Sequence, residues 1–237
     1  MNENALQNIP SGNKMLAALP AKEYRRLANK LEQFDLKFGE IIYEPDVNIK
    51  DVYFPNSGIV SFLTAIEKRS TLEVGVVGNE GMVGLSTFLG ITKSPNSAVV
   101  RATGIAWKMR TADFLKECQE NVVLSRLVHR YTHLLLTQLS LVGACNRFHP
   151  IIKRLTCWLL MTSDRMGTDT FHITQQFISN MLGVRREAVA LAAASLQEKR
   201  MISYSRGNLS ILNRTGLEEF ACKCYSIVKE EERNYLN

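Results

Sequence analysis

"HITQQFISNMLGVRREAVALAAASLQEKR", residues 172–200, scans as one long amphipathic helix, yet Gly183 stands in its middle and Arg185, Arg186 and Glu187 follow in a row. The interruption makes sense if the segment is two helices. Thr174 is placed to cap the first, whose N-terminal amide groups need an acceptor. Gly183 ends it in the left-handed conformation that glycine adopts most cheaply. The second helix then begins almost at once and runs to about Lys199. Ile178, Leu182, Val184, Val189 and Ala192 are spaced to lock the pair together, and Ser179 is small where the helices cross. That spacing predicts a helix-turn-helix, whose second helix offers its N-terminal residues to base edges in the major groove. Arginine can grip guanine through two acceptors, and glutamate can accept from the cytosine amino group. Arg185, Arg186 and Glu187 are therefore candidate base readers, with Thr174 and Gln175 at the start of the first helix as further candidate DNA-binding residues.

The next residues, "MISYSRGNLSILN" (201–213), alternate around Arg-Gly-Asn and predict a two-stranded hairpin. A hairpin after a helix-turn-helix makes a winged helix, with Arg206 at its tip placed for phosphate. Charge agrees. Residues 150–214 hold nine Lys/Arg (Lys153, Arg154, Arg165, Arg185, Arg186, Lys199, Arg200, Arg206, Arg214) against four acids (Asp164, Asp169, Glu187, Glu198). Nearly all of the chain's net +6 is concentrated there, the electrostatic footprint of a polyanion partner, here double-stranded DNA.

Upstream the texture changes. Residues 15–34 read as a short helix with Pro20 leading "PAKEY". From about 37 to 110, β-branched and aromatic runs punctuated by Gly, Pro and Asn predict an antiparallel roll. Residues 111–147 turn helical, with Thr111 a plausible N-cap. Leu124, Leu127, Tyr131, Leu134, Gln138, Leu141 and Cys145 alternate by three and four, a heptad seam read as the interface of a homodimer. Pro150 ends that helix and marks a hinge with His149 before it.

With 237 residues and 46% hydrophobic content, the chain can bury sizeable cores. It contains no apolar run long enough to cross a bilayer, so no membrane partner is expected. Residues 1–14 lack the pattern of a secretory signal. Five dispersed cysteines suit a reducing cytoplasm rather than a disulfide framework.

These features together resemble the Crp/Fnr family of bacterial transcription regulators. The resemblance covers about residues 14–215. It is carried by "FGEIIYEPDVNIKDVYFPNSGIV" at the start of the roll and by "ITQQFISNMLGVRREAVALAAASLQEKRMISYSRGNLSIL". The expected fold is α+β: an antiparallel β-roll of the double-stranded β-helix or jelly-roll type, a long dimerisation helix and a winged helix-turn-helix. The expected domains are a sensor roll at 14–112, a dimerisation helix and hinge at 113–148, a DNA-binding domain at 150–215 and a helical tail at 216–237. The resemblance implies a homodimer on a two-fold-related DNA site, with RNA polymerase and a small-molecule effector as further partners. The family's Arg-Glu reading pair falls at Arg186 and Glu187, whereas a further base-reading arginine falls at Leu191. In the family's cyclic-nucleotide binders a Gly-Glu holds the ribose and an Arg-Ser-Ala grips the phosphate. Here Gly84 is followed by Leu85, and Asn96 precedes Ser97 and Ala98, so a cyclic phosphate would lose its charge partner. An effector other than cyclic AMP is expected, in a pocket formed by residues 84–98 and the helix face around Ser140.

No catalytic arrangement, cofactor or metal is called for. The Gly-rich "VGVVGNEGMVG" lacks the lysine of a phosphate loop and reads as strand turns. His129 and His133 read as a solvated helix face, and Cys222 and Cys224 as ordinary packing. The competing functional class is an effector-binding module whose winged helix contacts protein instead of DNA.

Overall fold

The computed structural model describes residues 12–67 and 70–236; most of the stretch read for a secretory signal lies outside them. In chain order the elements are α1 (Lys14–Ala17), α2 (Ala21–Ala28), β1 (Glu32–Leu36), β2 (Ile41–Tyr43), β3 (Asp51–Pro55), β4 (Ile59–Glu67), β5 (Ser70–Val77), β6 (Ser97–Ala102), β7 (Gly104–Arg110), α3 (Thr111–Glu120), α4 (Val122–Phe148), α5 (Ile151–Met166), β8 (Thr170–His172), α6 (Gln175–Leu182), α7 (Arg186–Glu198), β9 (Ile202–Ser205), β10 (Asn208–Ile211), α8 (Arg214–Phe220) and α9 (Lys223–Leu236). They form two compact units, Met1–Leu136 with Glu232–Asn237, and Thr137–Glu231.

The first unit contains the antiparallel roll that the Gly/Pro punctuation predicts. One sheet has the order β1-β7-β3 and the other β2-β6-β4-β5. Leu36, Tyr53, Val60, Val77, Ala98, Val100 and Ala106 come from both sheets and share one core cluster. Strand alternation divides β3: Tyr53 faces that interior, while Val52 and Phe54 join a second cluster with helical residues.

That second cluster accounts for where the long helix goes. The helix expected over 111–147 is two helices. At Asn121 the backbone turns extended (φ −118°, ψ 97°), and its side-chain Oδ1 accepts hydrogen bonds from the amides of Val123 and Leu124, both at 3.0 Å, so Asn121 caps the longer helix. Thr111 is not a cap. It is the first residue of α3, and its hydroxyl donates to the Ile49 carbonyl at 3.0 Å. Leu124, Leu127, Val128, Tyr131 and Leu134 are buried with Met15, Leu16, Leu27 and Phe114. Gly81 makes room for this helix. A Cβ there would lie 2.1 Å from the Tyr131 ring, so no larger side chain fits. The division between units consequently falls inside α4, after Leu136, because its N-terminal half is core of the roll unit. The short helix read over 15–34 is α1 and α2 with Pro20 between them, and Glu32–Phe34 belong to β1.

In the second unit Leu155, Leu159 and Leu160 of α5 pack with Ile178, Val189, Leu196, Ile202, Leu209 and Leu217 around one core. The expected hairpin is present as β9 and β10. A third strand, β8, pairs with β10 (Leu209 opposite Phe171), making a three-stranded wing sheet. Three residues are too few to stand out by alternation, which is why the sequence predicts two strands.

Candidate nucleic-acid interface

The turn between α6 and α7 is built as the sequence predicts. Thr174 Oγ1 accepts from the Phe177 amide at 3.1 Å, closing the first turn of α6. Gly183 is left-handed (φ 62°, ψ 40°), and its amide and that of Val184 return to carbonyls of the last turn. Ile178, Ser179, Leu182, Val189 and Ala192 are buried between the helices and their core, while Val184 is half-buried. Arg154 donates to the Leu182 carbonyl and so ties α5 to the end of α6.

What this packing leaves outward is the face that the sequence offers to base edges. Arg185, Arg186 and Glu187 are exposed at the start of α7. Leu191 is 74% exposed one turn on, and Ala194 follows on the same face. Leu191 is a bulky apolar group in water on a helix otherwise sorted by burial. The side chains of Thr174, Gln175, Gln176, Arg186, Tyr204 and Arg206, with Gly207, line one open groove between the helix starts and the wing. Of the six residues read as DNA contacts, four meet there. Arg185 and Glu187 lie on α7's exposed start without lining the groove.

The wing tip departs from local backbone preference. Ser205 pairs with Asn208, so Arg206 and Gly207 form a two-residue turn, and both have positive φ (49° and 83°). Such a turn favours Asn-Gly, because only small or locally hydrogen-bonding residues tolerate the left-handed region cheaply. Arg206 holds it at a cost of about 1 kcal/mol. His172 of β8 pins the turn from behind: its Nδ1 and Asn208 Oδ1 share a 3.0 Å hydrogen bond, and a Cβ on Gly207 would come within 2.6 Å of its ring.

The basic residues of this unit do different jobs. Arg214 is bonded to Asp164, to Asp169 at 3.2 Å, to Glu218 at 3.0 Å and to the Ser163 hydroxyl at 2.9 Å. Lys229 adds a second ion pair to Asp164 at 3.1 Å. Burial alone would raise the Asp164 carboxyl, but Lys229 and Arg214 outweigh it and hold it below its ordinary value. Arg165 is buried and donates to Gln138 Oε1 at 3.5 Å; Lys153 lies 3.8 Å over the Phe220 ring and donates to the Phe220 carbonyl. Arg154, Arg165, Lys153 and Arg214 are thus framework, and Arg185, Arg186, Lys199, Arg200 and Arg206 are exposed.

The seam read as a dimer interface is the inward stripe of α4. Leu124, Leu127, Tyr131 and Leu134 are buried in the roll unit's core. Gln138 and Cys145 are buried in the second unit, and Leu141 packs against that core. Six of the seven seam residues, at 0–8% exposure, leave a second chain almost nothing to touch, and only Leu141 is part-exposed, so the correction follows from burial. The outward apolar line is Leu136, Leu139 and Val142.

The residues read as an effector pocket are divided. Gly84 is left-handed (φ 95°) and begins a 3-10 turn, Leu85–Thr87, whose Leu85 packs toward the helical cluster. Asn96 Oδ1 accepts from the Thr64 hydroxyl; Ser97 and Ala98 open β6, with Ala98 buried in the roll. Ser140 is exposed and belongs to the other unit.

One grouping escapes sequence periodicity altogether: Cys145, His149, Cys222 and Cys224, with all four ligand atoms within 4.8 Å of one another. Cys222 and Cys224, read as ordinary packing, and Cys145, read as part of the seam, belong to it.

Comparison with known proteins agrees with this division. Residues 33–121 match the model of the cyclic nucleotide-binding domain and residues 153–220 that of the Crp-like helix-turn-helix domain. No curated protein matches the chain. Among solved structures, FixK2 from Bradyrhizobium japonicum is similar with a TM-score of 0.70 at 16% identity, covering 81% of this chain and 98% of its own. A CRP-family transcriptional regulator from Thermus thermophilus gives 0.64 at 16% identity, over 80% and 96% of the two chains. CLP of Xanthomonas campestris, described as a c-di-GMP responsive global regulator, gives 0.63 at 12% identity, over 81% and 99%.

Proposed function

Since this chain belongs to the Crp/Fnr family of transcriptional regulators, joining a cyclic-nucleotide-binding-type domain to a Crp-like helix-turn-helix domain, we propose that it is a regulator that binds duplex DNA as a homodimer and carries no catalytic activity. The observation that carries this reading is the groove in which Thr174, Gln175, Arg186 and Arg206 meet, lined from the first helix, the second helix and the wing. Arg186 and Glu187 read base edges, and Leu191 offers an apolar surface suited to a thymine methyl group. Thr174, Gln175, Arg185 and Arg206 hold the backbone. The second copy is held along Leu136, Leu139 and Val142 of α4, an exposed apolar line at intervals of three residues.

Selection from randomised duplexes tests the assignment. Arg186→Ala is expected to cost about 1–3 kcal/mol on the preferred site and to relax choice at one base pair per half-site. Arg206→Asn, which keeps a residue suited to the left-handed turn, is expected to weaken binding to every sequence alike. A changed motif with Arg206→Asn and an unchanged one with Arg186→Ala would reverse the roles of helix and wing.

The roll responds to something other than cyclic AMP. Leu85 turns toward the helical cluster and offers no acceptor for a ribose hydroxyl, and Asn96, bonded to Thr64, offers no positive charge for a cyclic phosphate. Titration calorimetry with cyclic AMP is expected to give no micromolar binding. Micromolar affinity together with tighter DNA binding would contradict this reading of the pocket.

A further inference from the structure

The four residues drawn together at the end of α4 and the start of α9 have the chemistry of a metal centre. Cys145 and His149 are four apart, so they share one face of the helix end and its first residue beyond. Cys222 and Cys224 flank the first residue of α9, Cys222 before the helix and Cys224 in its first turn. The three cysteines are buried and His149 is half-buried. Cys145 Sγ lies 3.8 Å from Cys222 Sγ, and Cys224 Sγ lies 3.7 Å from His149 Nδ1.

These distances select among the chemistries that cysteines share. A disulfide needs its sulfurs about 2.05 Å apart, and at 3.8 Å Cys145 and Cys222 are two free thiols. Tetrahedral zinc, with Zn–S near 2.3 Å and Zn–N near 2.0–2.1 Å, puts its ligand atoms about 3.5–3.8 Å apart along the edges of the tetrahedron. The separations of 3.8 and 3.7 Å fall on such edges. A mononuclear ion suits a group confined within 4.8 Å, whereas an iron–sulfur cluster places several atoms between its cysteines. Three sulfurs and one imidazole nitrogen complete a closed four-ligand set of the structural kind, with no position left for substrate. Bound this way, three thiolates and a dication sum to one negative charge, which the positive end of the α9 helix dipole favours.

We propose that Cys145, His149, Cys222 and Cys224 form a structural zinc site that ties the end of α4 to the start of α9 within the second unit. The site is independent of the DNA-reading groove, and the proposal stands whether or not that groove reads DNA. Cys118, in the other unit, takes no part.

The test uses the full chain, purified under reducing conditions, loaded with zinc and passed through a desalting column. Elemental analysis is expected to find one zinc per chain in the wild type and in Cys118→Ser. A drop of at least tenfold is expected in the double variant Cys222→Ser with Cys224→Ser, with circular dichroism checking that the variant is folded. Should that variant be unfolded, His149→Ala gives the same test from the other end of the site. Cobalt substituted into the wild type is expected to show the intense visible bands of tetrahedral coordination with thiolate charge transfer. Zinc well below one equivalent in the wild type, equal zinc in a folded ligand variant, or the weak spectrum of six-coordinate cobalt would overturn the proposal. So would a wild type that takes up no zinc and forms only a Cys145–Cys222 disulfide on oxidation.

Discussion

Raising salt from 50 to 200 mM is expected to weaken binding of this protein to duplex DNA by about a thousandfold. Counterion release makes affinity fall with salt in proportion to the number of phosphates neutralised, and about six contacts produce a loss of that size. Of the five exposed cations per copy, Arg186 is assigned to base edges and Lys199 lies 5.9 Å over the Phe220 ring, which leaves Arg185, Arg200 and Arg206, six in a dimer. The framework cations do not enter the count. Arg214 is committed to carboxylates of its own unit, Arg165 is buried, and Lys153 and Arg154 are spent on backbone carbonyls. A fluorescence-anisotropy titration at four salt concentrations measures the slope. A slope near zero would leave the competing reading, in which the winged helix meets a protein partner. A slope near −8 or steeper would mean that cations left out of the count, Arg186, Lys199 or those treated as framework, also reach phosphate.

Leu139→Glu combined with Val142→Glu is expected to convert the protein to monomer at micromolar concentration and to lower its affinity for a two-fold DNA site by about a hundredfold or more. Two linked half-sites bind with an avidity that two separate chains lack. Both positions are exposed on α4, so the substitutions leave the cores intact. Placing the charges at Leu127 and Leu134 instead would strike residues at 5% and 0% exposure and break the roll unit. Sedimentation gives the oligomeric state, and an isolated half-site duplex supplies the control, since wild type and variant should bind it equally. A variant that remains dimeric and holds the full site as tightly as the wild type would move the interface off this face.

How far the fold could be read in advance followed the range of the interactions concerned. Thr174 and Gly183 act on amides and carbonyls within a few residues, so their chemistry announces the turn wherever it occurs. The alternation of 201–213 around Arg206–Gly207 is equally local. The apolar positions of α4 were visible too, but periodicity says only which residues share a face. Two stripes run along that helix, and deciding which one meets the roll requires knowing that Tyr131 sits over Gly81, fifty positions earlier. Asn121 does not stand out in the sequence because both flanks favour helix and only its dihedrals reveal the break. The exposed basic residues could not be separated from Arg214 and Arg165 by counting charge. The cysteine and histidine group joins positions 145 and 224, and no spacing rule reaches across the intervening winged helix.

The left-handed Arg206 carries a consequence for anyone who would improve this protein. Asparagine or glycine would suit that turn better and relieve about 1 kcal/mol of backbone strain. Stability ranking would therefore nominate position 206 early for replacement, and consensus hairpin rules would agree. Yet the exposed guanidinium at the tip of the wing is the group proposed to hold the phosphate backbone. Local foldability and reach pull in opposite directions at this residue, as happens where a chain keeps an ill-fitting side chain for its work. On the proposed reading, a variant chosen for its melting temperature alone would thus arrive sturdier and weaker on duplex DNA.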